Sequence, residues 1–539
     1  MVELEFREKT KALIDSLKSI CATNGLGNST GEFEIITQVF LYKFLNDKFA
    51  YEAKKIDEKI AKAKKWEEVV AEMSEEELDM LQLQMDGDTA RLKPEHFISH
   101  LFNQQDKPNF AALFDDTLMD IAITNNDVFA VKTDTGEKVQ LFTRISENVT
   151  VSKRDAFCKA IINKLIEFSF ERIFNQKFDF YATIFEYLIK DYNSNSGGKY
   201  AEYYTPHAVA RIMAAILVQG TVRNVSCYDP SAGSGTLLMN VAHAIGENRC
   251  SIYTQDISKK SSNLLRLNLI LNNLVHSIPN VIEGNTLWHP HHKENGDLRK
   301  FDYIVSNPPF KLDFSDFRDE LDSKENKERF FAGIPKIKAK AKDKMEIYQL
   351  FLQHIIYSLK PGGKAAVVLP TGFITAQSGI DKKIRQYLVD NKMLAGVVSM
   401  PSNIFATTGT NVSILFIDDS NKDKVVLVDA SNLGQKVKEG KNQKTLLSPE
   451  EEQQIIDVFN NKWTEKDFSI AVSYDDITAK NYSLSAGQYF EVKIEHVDIS
   501  AEQFLGKMQG FSSNLDGLFN QSRELEVEIK KQLARVKYE

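Results

Sequence analysis

The segment D-P-S-A-G-S-G-T-L-L, from Asp229 to Leu238, constrains this chain more than any other. A strand-like run, Val225 to Tyr228, leads into it, and a helical run, Leu237 to Ile245, leaves it. Gly233 and Gly235 permit positive φ and let the backbone come close to a ligand. Such a turn delivers the ligand to a helix N-terminus, where free N–H groups point outward. Leu238 stands where a dinucleotide G-x-G-x-x-G needs its third glycine. The lysine of a phosphate-binding P-loop is also missing. The next strand-like run, Ile252 to Gln255, ends at Asp256, whose carboxylate is placed to accept hydrogen bonds from two ribose hydroxyls. The following strand should end near G-N-T-L, Gly284 to Leu287, which puts Asn285 against the adenine edge of a nucleotide-like cofactor. Asp229, Ala232, Gly233, Ser234, Gly235, Thr236, Asp256, Asn285 and Thr286 are the candidate cofactor residues from these turns. A lone G-S-G also reads as an ordinary tight strand-to-helix turn with a surface acid beside it. Asp229-Pro230 before it and Asp256 after it favour the cofactor.

A second turn follows. Strand-like Tyr303 to Ser306 runs directly into Asn307-Pro308-Pro309-Phe310. Two prolines end the strand, fix φ at successive positions and keep the turn rigid. The Asn307 carboxamide oxygen can accept a hydrogen bond from an amino group, and the Pro308 carbonyl can accept the other. Two acceptors at one –NH2 favour an sp3-like nitrogen whose lone pair faces a methyl donor. An exocyclic amine is a poor nucleophile, so orientation and proximity must supply much of the rate. Phe310 offers a face on which a base can stack. A duplex hides that nitrogen, so the base has to be flipped out. A rigid Pro-Pro turn over a buried Phe is the bland alternative. Paired with the first turn in one sheet, N-P-P-F instead points to methyl transfer from S-adenosylmethionine to a base amine, with Asn307 bordering both ligands.

The remaining texture places these turns. The first ~120 residues read as helical, with Phe33, Ile36, Phe40, Phe44 and Leu45 at helical spacing. Lys54 to Glu77 has the composition of one exposed helix. T-D-T-G-E-K near Thr133 reads as the turn of a small hairpin, Val128 to Val131 and Val139 to Phe142, at the edge of a helical domain. Lys153 to Lys190 is helical again, and N-S-N-S-G-G-K (Asn193 to Lys199) is a flexible linker. Strand-like runs then alternate with helical ones. Ile252 to Gln255 precedes Asn263 to Leu274; Tyr303 to Ser306 precedes Ile347 to Leu359; Ala365 to Leu369 precedes Lys382 to Val389; Leu394 to Met400 precedes Val412 to Ile417, taken as its helical partner. This alternation predicts an α/β, mostly parallel sheet wrapped by helices. An apolar stripe, Leu518, Leu525, Ile529, Leu533 and Val536, marks a C-terminal helix. The expected domains are a mainly helical 1–150, a catalytic 151–490 with a helical lead-in at 151–195, and a helical, coiled-coil-like tail at 491–539.

Other segments widen the pattern. G-G-K-Y-A-E-Y-Y-T-P (Gly197 to Pro206), K-P-G-G-K-A-A-V-V-L-P-T-G-F (Lys360 to Phe373), M-P-S-N-I-F-A-T-T-G-T-N-V-S-I-L-F (Met400 to Phe416) and L-S-A-G-Q-Y-F (Leu484 to Phe490) all resemble segments of adenine-N6 amino-methyltransferases. With the two turns, they make the chain resemble the methylation subunit of type I restriction–modification systems over most of its length. The motif order is that of the gamma group. The resemblance implies a Rossmann-like S-adenosylmethionine-dependent domain and N6 methylation of adenine in double-stranded DNA. It implies that Glu202, Tyr203, Tyr204, Thr205 and Pro206 close over the methionine end of the cofactor, and that Phe405 is a second aromatic of the base pocket. Asn307, Pro308 and Phe310 carry the catalytic role. Only helix follows the last catalytic-looking segment, so target recognition is expected on a separate specificity subunit. By resemblance two copies of this chain embrace one such subunit, and a restriction subunit can join them.

Composition fits this division of labour. The net charge of -8 over 539 residues is not that of a chain that binds nucleic acid unaided. A DNA surface would be local or shared. The four cysteines have no C-x-x-C spacing and read as buried thiols of a cytoplasmic protein. No apolar run reaches membrane-spanning length, and no metal site is expected; H-P-H-H (His289 to His292) reads better as a surface loop. Lys336, Lys338, Lys340, Lys342 and Lys344 suit either phosphate contact or a solvated mobile loop. The C-terminal stripe suits either a partner's helices or the chain's own domain. Two rival functions remain: methylation of another amide or amine, in RNA or protein glutamine, and a non-catalytic DNA-binding assembly subunit.

Overall fold

The computed structural model describes residues 2–27, 29–171, 174, 205–405, 411–439, 442–490 and 500–535. They fall into two compact units, Met1–Tyr489 and Phe490–Glu539.

The N-terminal part is helical. Ser29 starts the helix Thr30–Ile56 by accepting a hydrogen bond from the Glu32 N–H. Phe33, Ile36, Phe40, Phe44 and Leu45 are all buried, as their spacing requires. The single exposed helix expected from Lys54 to Glu77 does not form. Short helices Glu58–Lys62, Trp66–Ala71 and Glu75–Gln84 replace it. Asp57 accepts from the Lys59 N–H, and Ser74 and Glu77 cap each other's backbone, so each side chain starts a new helix. Buried Ile60, Trp66 and Val70 draw these pieces onto the core.

The main sheet has eleven strands. In chain order they are β1 (Val131–Thr133), β2 (Lys138–Val139), β3 (Val225–Asp229), β4 (Cys250–Asp256), β5 (Val281–Glu283), β6 (Phe301–Ser306), β7 (Leu359–Pro370), β8 (Leu394–Ser399), β9 (Val412–Asp418), β10 (Val425–Asp429) and β11 (Ser469–Val472). Their spatial order is β11-β10-β8-β9-β7-β6-β3-β4-β5-β1-β2. The five strands β7-β6-β3-β4-β5 are parallel. The helices Thr236–Ile245, Lys259–Leu271 and Tyr348–Tyr357 lie in their connections. Parallel pairing brings the carboxyl ends of these strands to one edge, where open α/β sheets bind ligands.

Two expectations about strands change. Val412 to Ile417 is not a helical partner but β9, antiparallel to both β7 and β8. Its six residues, Ser413 included, are all buried, and a short, mostly apolar run buried on both faces carries no period to separate strand from helix. The hairpin is also displaced. Each strand shares one residue with its expected run, Val131 and Val139, and otherwise lies on the turn side of it; the hairpin also belongs to the sheet. β1 runs parallel to β5, with Lys132 opposite Ile282 and Thr133 opposite Glu283. The sheet therefore extends across the expected boundary at residue 150.

The segment after N-P-P-F packs Phe314, Leu321, Phe330, Met345 and Ile347 around Leu287 of the loop after β5 in a small separate core. All four cysteines are buried and free. In the second unit, Ser500 caps the helix Ala501–Leu533, along which Leu518, Leu525, Ile529 and Leu533 are exposed; Val536 lies outside the described residues. Among the described residues no helix is long and apolar enough to cross a membrane.

Candidate active site

Both turns leave neighbouring parallel strands at the same edge. β3 pairs with β6, Cys227 opposite Tyr303 and Tyr228 opposite Ile304, so Asp229, the last residue of β3, and Asn307, the first after β6, stand at the ends of neighbouring strands. The Ser231 and Ser306 hydroxyls join the two turns at 2.7 Å.

The cofactor turn is held by acids. Asp229 is 1% exposed, and its Oδ1 accepts from the Ser231 N–H at 2.9 Å. Burial, and then the charge of Asp256, push its carboxyl up to about 8. Asp256 accepts from the Gly233 N–H through Oδ2 at 2.9 Å and from the Ser258 N–H through Oδ1 at 2.8 Å. Burial raises this carboxyl too. Each oxygen keeps a second lone pair for a hydroxyl. Gly233 and Gly235 have φ of 55° and 85°, and Gly235 precedes helix Thr236–Ile245 without a side-chain cap. Ala232 accepts from the Gly235 N–H at 2.8 Å. Buried Ser234 and Thr236 bond each other through their hydroxyls at 3.1 Å. A Cβ on Gly235 would collide with Leu265 Cδ1. Gly235→Ala should therefore lose about 2 kcal/mol or more of stability, and cofactor affinity with it. Thermal melts and ligand titration check this; unchanged values in both would refute the role of the turn.

The loop after β5 divides its tasks. The buried Thr286 hydroxyl donates to the Pro230 carbonyl at 2.7 Å, tying this loop to the cofactor turn. Asn285 Oδ1 accepts from the Leu287 and Trp288 N–H groups at 3.0 and 3.1 Å. Its acceptor atom thus shapes the turn, and among the described residues its Nδ2 is the end left for a ligand.

On the other turn, Asn307 Nδ2 donates to Thr205 Oγ1 at 3.3 Å. That bond brings the T-P end of the closing segment to N-P-P-F, and among the described residues nothing bonds the carboxamide oxygen. Thr205 and Pro206 are buried, and Pro206 starts helix His207–Leu217. Glu202, Tyr203 and Tyr204 lie outside the described residues, as does most of 153–190 beyond residue 171 and the linker at 193–199. Pro308 is buried and Phe310 half-buried, its ring edge-on to Tyr348 with centroids 6.4 Å apart. Phe405 is half-buried against the main core.

Sequence reasoning missed a buried chain behind the site. Arg329, 3% exposed, donates to the carbonyls of Thr286 and Leu287 at 2.9 and 2.8 Å and to His354 Nδ1 at 3.0 Å. His354 in turn meets the Tyr228 hydroxyl at 3.1 Å. The segment after N-P-P-F thereby holds the cofactor loop. Nothing in K-E-N-K-E-R distinguishes this arginine from a solvated one. Lys336, Lys338, Lys340, Lys342 and Lys344 are exposed, but Ile347 and Met345 beside them anchor the segment. In H-P-H-H, His289 and His291 are exposed, and half-buried His292 bonds to the Thr254 carbonyl at 3.0 Å, with desolvation lowering it to about 4.

Asp229, a buried carboxylate with no cation bonded to it among the described residues, the acid Asp256 with lone pairs for hydroxyls, and a helix start without a side-chain cap suit a ligand with an ammonium group and a ribose. Residues 176–498 match the N-6 DNA Methylase family. The chain belongs to that family. It is 30% identical over 395 residues to the type I restriction enzyme MpnII methylase subunit of Mycoplasma pneumoniae, covering 71% of this chain and 68% of that protein. It is 25% identical to the HindI methylase subunit of Haemophilus influenzae, covering 67% and 79%. The fold resembles the type I restriction-modification methyltransferase subunit from Streptococcus thermophilus, with TM-score 0.69 and 20% identity over 89% of this chain and all of that one. The architecture is that of an S-adenosylmethionine-dependent methyltransferase, and the family is that of N6-adenine DNA methyltransferases.

Proposed function

We propose that this chain transfers a methyl group from S-adenosylmethionine to the N6 amino group of adenine in double-stranded DNA, as the modification subunit of a type I restriction–modification assembly. The observation that carries this reading is that the turns headed by Asp229 and Asn307 leave neighbouring parallel strands at one edge and are joined through Ser231 and Ser306.

When bound, S-adenosylmethionine supplies an electrophilic methyl group on a sulfonium. Asp229 offers its carboxylate to the methionine ammonium, and Asp256 offers lone pairs to the ribose hydroxyls. The N–H groups at the start of helix Thr236–Ile245 face the same ligand. Thr205 and Pro206 lie beside Asn307, with Glu202, Tyr203 and Tyr204 assigned to the same closing segment. Asn307 Oδ1 and the Pro308 carbonyl accept the two amine hydrogens and aim the nitrogen lone pair. Phe310 and Phe405 stack the flipped base. Asn307 Oδ1 and the Pro308 carbonyl would hold the amine hydrogens while the amine nitrogen takes the methyl group from sulfur, and one of those hydrogens would then pass to solvent.

The catalytic domain is assigned to 151–490, with 1–150 as the helical N-terminal domain that also lends two strands to the sheet. The tail at 491–539 docks on a specificity subunit, and two copies of this chain flank one such subunit, with a restriction subunit able to join. The exposed apolar residues of Ala501–Leu533 support that assignment. The test is methyl transfer to unmethylated DNA by the chain alone and with its specificity subunit. Methyl groups are expected on adenine N6, at one sequence, and only with the partner. Robust methylation at a defined site by the chain alone would overturn the separation of targeting from chemistry. Incorporation into RNA or glutamine instead of DNA would overturn the substrate.

A further inference from the structure

We infer that Asp134, in the hairpin contributed by the N-terminal region, accepts a hydrogen bond from the exocyclic amine of the cofactor's purine; this rests on the cofactor reading above. By its sequence the turn T-D-T-G-E-K is only a connection between two strands. The sheet gives it another place. Because β1 is parallel to β5, the end of β1 and the turn after it lie at the same edge as Asp256 and Asn307.

Contacts bring Asp134 to the cofactor loop itself. Its N–H donates to the Glu283 carbonyl at 2.9 Å, and the Gly284 N–H donates to the Asp256 carbonyl at 2.9 Å. A Cβ built on Gly284 would stand 2.5 Å from Asp134 Oδ2 and 2.6 Å from Asp134 Cγ. The carboxylate therefore lies directly over Gly284, a glycine that makes room for it, one residue before Asn285. Among the described residues, no donor bonds the Asp134 carboxylate.

The chemistry requires such a group. A 6-amino purine presents N–H donors and needs an acceptor. Asn285, the residue first assigned to this edge, has its Oδ1 engaged by the Leu287 and Trp288 N–H groups. Its Nδ2 can only donate, which suits a ring nitrogen. Asp134 supplies the missing acceptor, and a carboxylate also repels a 6-oxo purine.

The hairpin is rigid enough for this task. Thr133 N–H donates to the Glu137 carbonyl at 2.8 Å, Gly136 N–H to the Thr133 carbonyl at 2.9 Å, and Glu137 N–H to the Thr133 hydroxyl at 3.0 Å. Buried Arg266, on helix Lys259–Leu271, donates to the Val139 carbonyl at 2.9 Å and clamps the second strand. The acceptor is thus positioned before the ligand arrives.

The test is calorimetric titration of the full chain with S-adenosylhomocysteine and with S-inosylhomocysteine, which carries a carbonyl in place of the amine. Wild type should favour the adenosyl compound by about tenfold or more. Asp134→Ala should lose about tenfold in adenosyl affinity. Asp134→Asn, which keeps the shape but offers both a donor and an acceptor, should bring the two affinities together. Unchanged melting temperatures show that both variants fold. Variants that keep the wild-type affinity and preference overturn the assignment, as does a wild type indifferent to amine and carbonyl. A wild type that binds neither compound instead brings down the cofactor reading, and this assignment with it.

Discussion

Asn307→Ala lowers methyl transfer by about a thousandfold or more, while S-adenosylmethionine binds within a few-fold of wild type. The asymmetry follows from what the side chain touches. Its Nδ2 is tied to Thr205 Oγ1, so the carboxamide cannot rotate freely, and its oxygen is held as an acceptor at the strand end beside Asp229. Removing that oxygen leaves the Pro308 carbonyl as the only acceptor in the turn for the amine. One acceptor does not turn the nitrogen lone pair toward the methyl group, and a planar, conjugated amine attacks slowly. The cofactor keeps Asp229, Asp256 and the turn at Gly233 and Gly235, all of which lie on β3, β4 and the loop after β3. Asn307→Asp retains an acceptor and should retain more activity than the alanine variant. Single-turnover transfer in the partner-complete enzyme, set against ligand titration, separates the two effects. Equal transfer by Asn307→Ala and wild type would remove Asn307 from the chemistry, and a matching collapse in cofactor affinity would make it a binding residue.

Both turns were legible because each writes its geometry into residue types. Gly233 and Gly235 are glycines because φ is positive there, and Pro308 and Pro309 end β6 as prolines must. The spacing of Asp256 was legible because one strand, turn and helix of ordinary length separate it from Asp229. What stayed hidden depends on distant contacts. Arg329 looks like any surface arginine until the segment after N-P-P-F folds against the Thr286 and Leu287 carbonyls. The role of Asn285 turns on two N–H groups that follow it, and only the folded loop shows that they take its oxygen. The hairpin at 131–139 was visible as a hairpin, but two- and three-residue strands cannot announce which sheet they will join. Val412 to Ile417 was ambiguous for another reason: burial on both faces erases the alternation that marks a strand. The breaks at Asp57 and Ser74 were present as capping residues, yet the Lys- and Glu-rich composition around them outweighed that signal.

Asp229→Asn makes the ligand-free chain more stable at alkaline pH and at the same time weakens cofactor binding. In the folded chain burial pushes the Asp229 carboxyl up to about 8, against an ordinary value of 3.8. The native state therefore holds this proton more tightly than the unfolded chain. Its contribution to stability is fully present below 3.8 and is lost as pH rises through about 8, where a carboxylate must stand buried beside the charge of Asp256. Asparagine carries no charge at any pH and matches the protonated acid in shape. The two proteins should unfold alike in acid and diverge through neutrality, with the variant ahead by a few kcal/mol at alkaline pH. Denaturant midpoints measured across that interval give the difference directly. Binding runs the other way. An ammonium group needs the carboxylate, so wild-type affinity should rise from about pH 6 to about pH 8 as the proton leaves, and the asparagine variant should show a weaker and flatter profile. Parallel stability curves for the two proteins across the whole interval would show that Asp229 is not held neutral in the empty site. Equal cofactor affinity at alkaline pH would show that it does not face the ammonium. Should both predicted differences appear, the acid at the head of the cofactor turn destabilises the empty fold in order to bind, which is the trade expected of a functional group and not of a structural one.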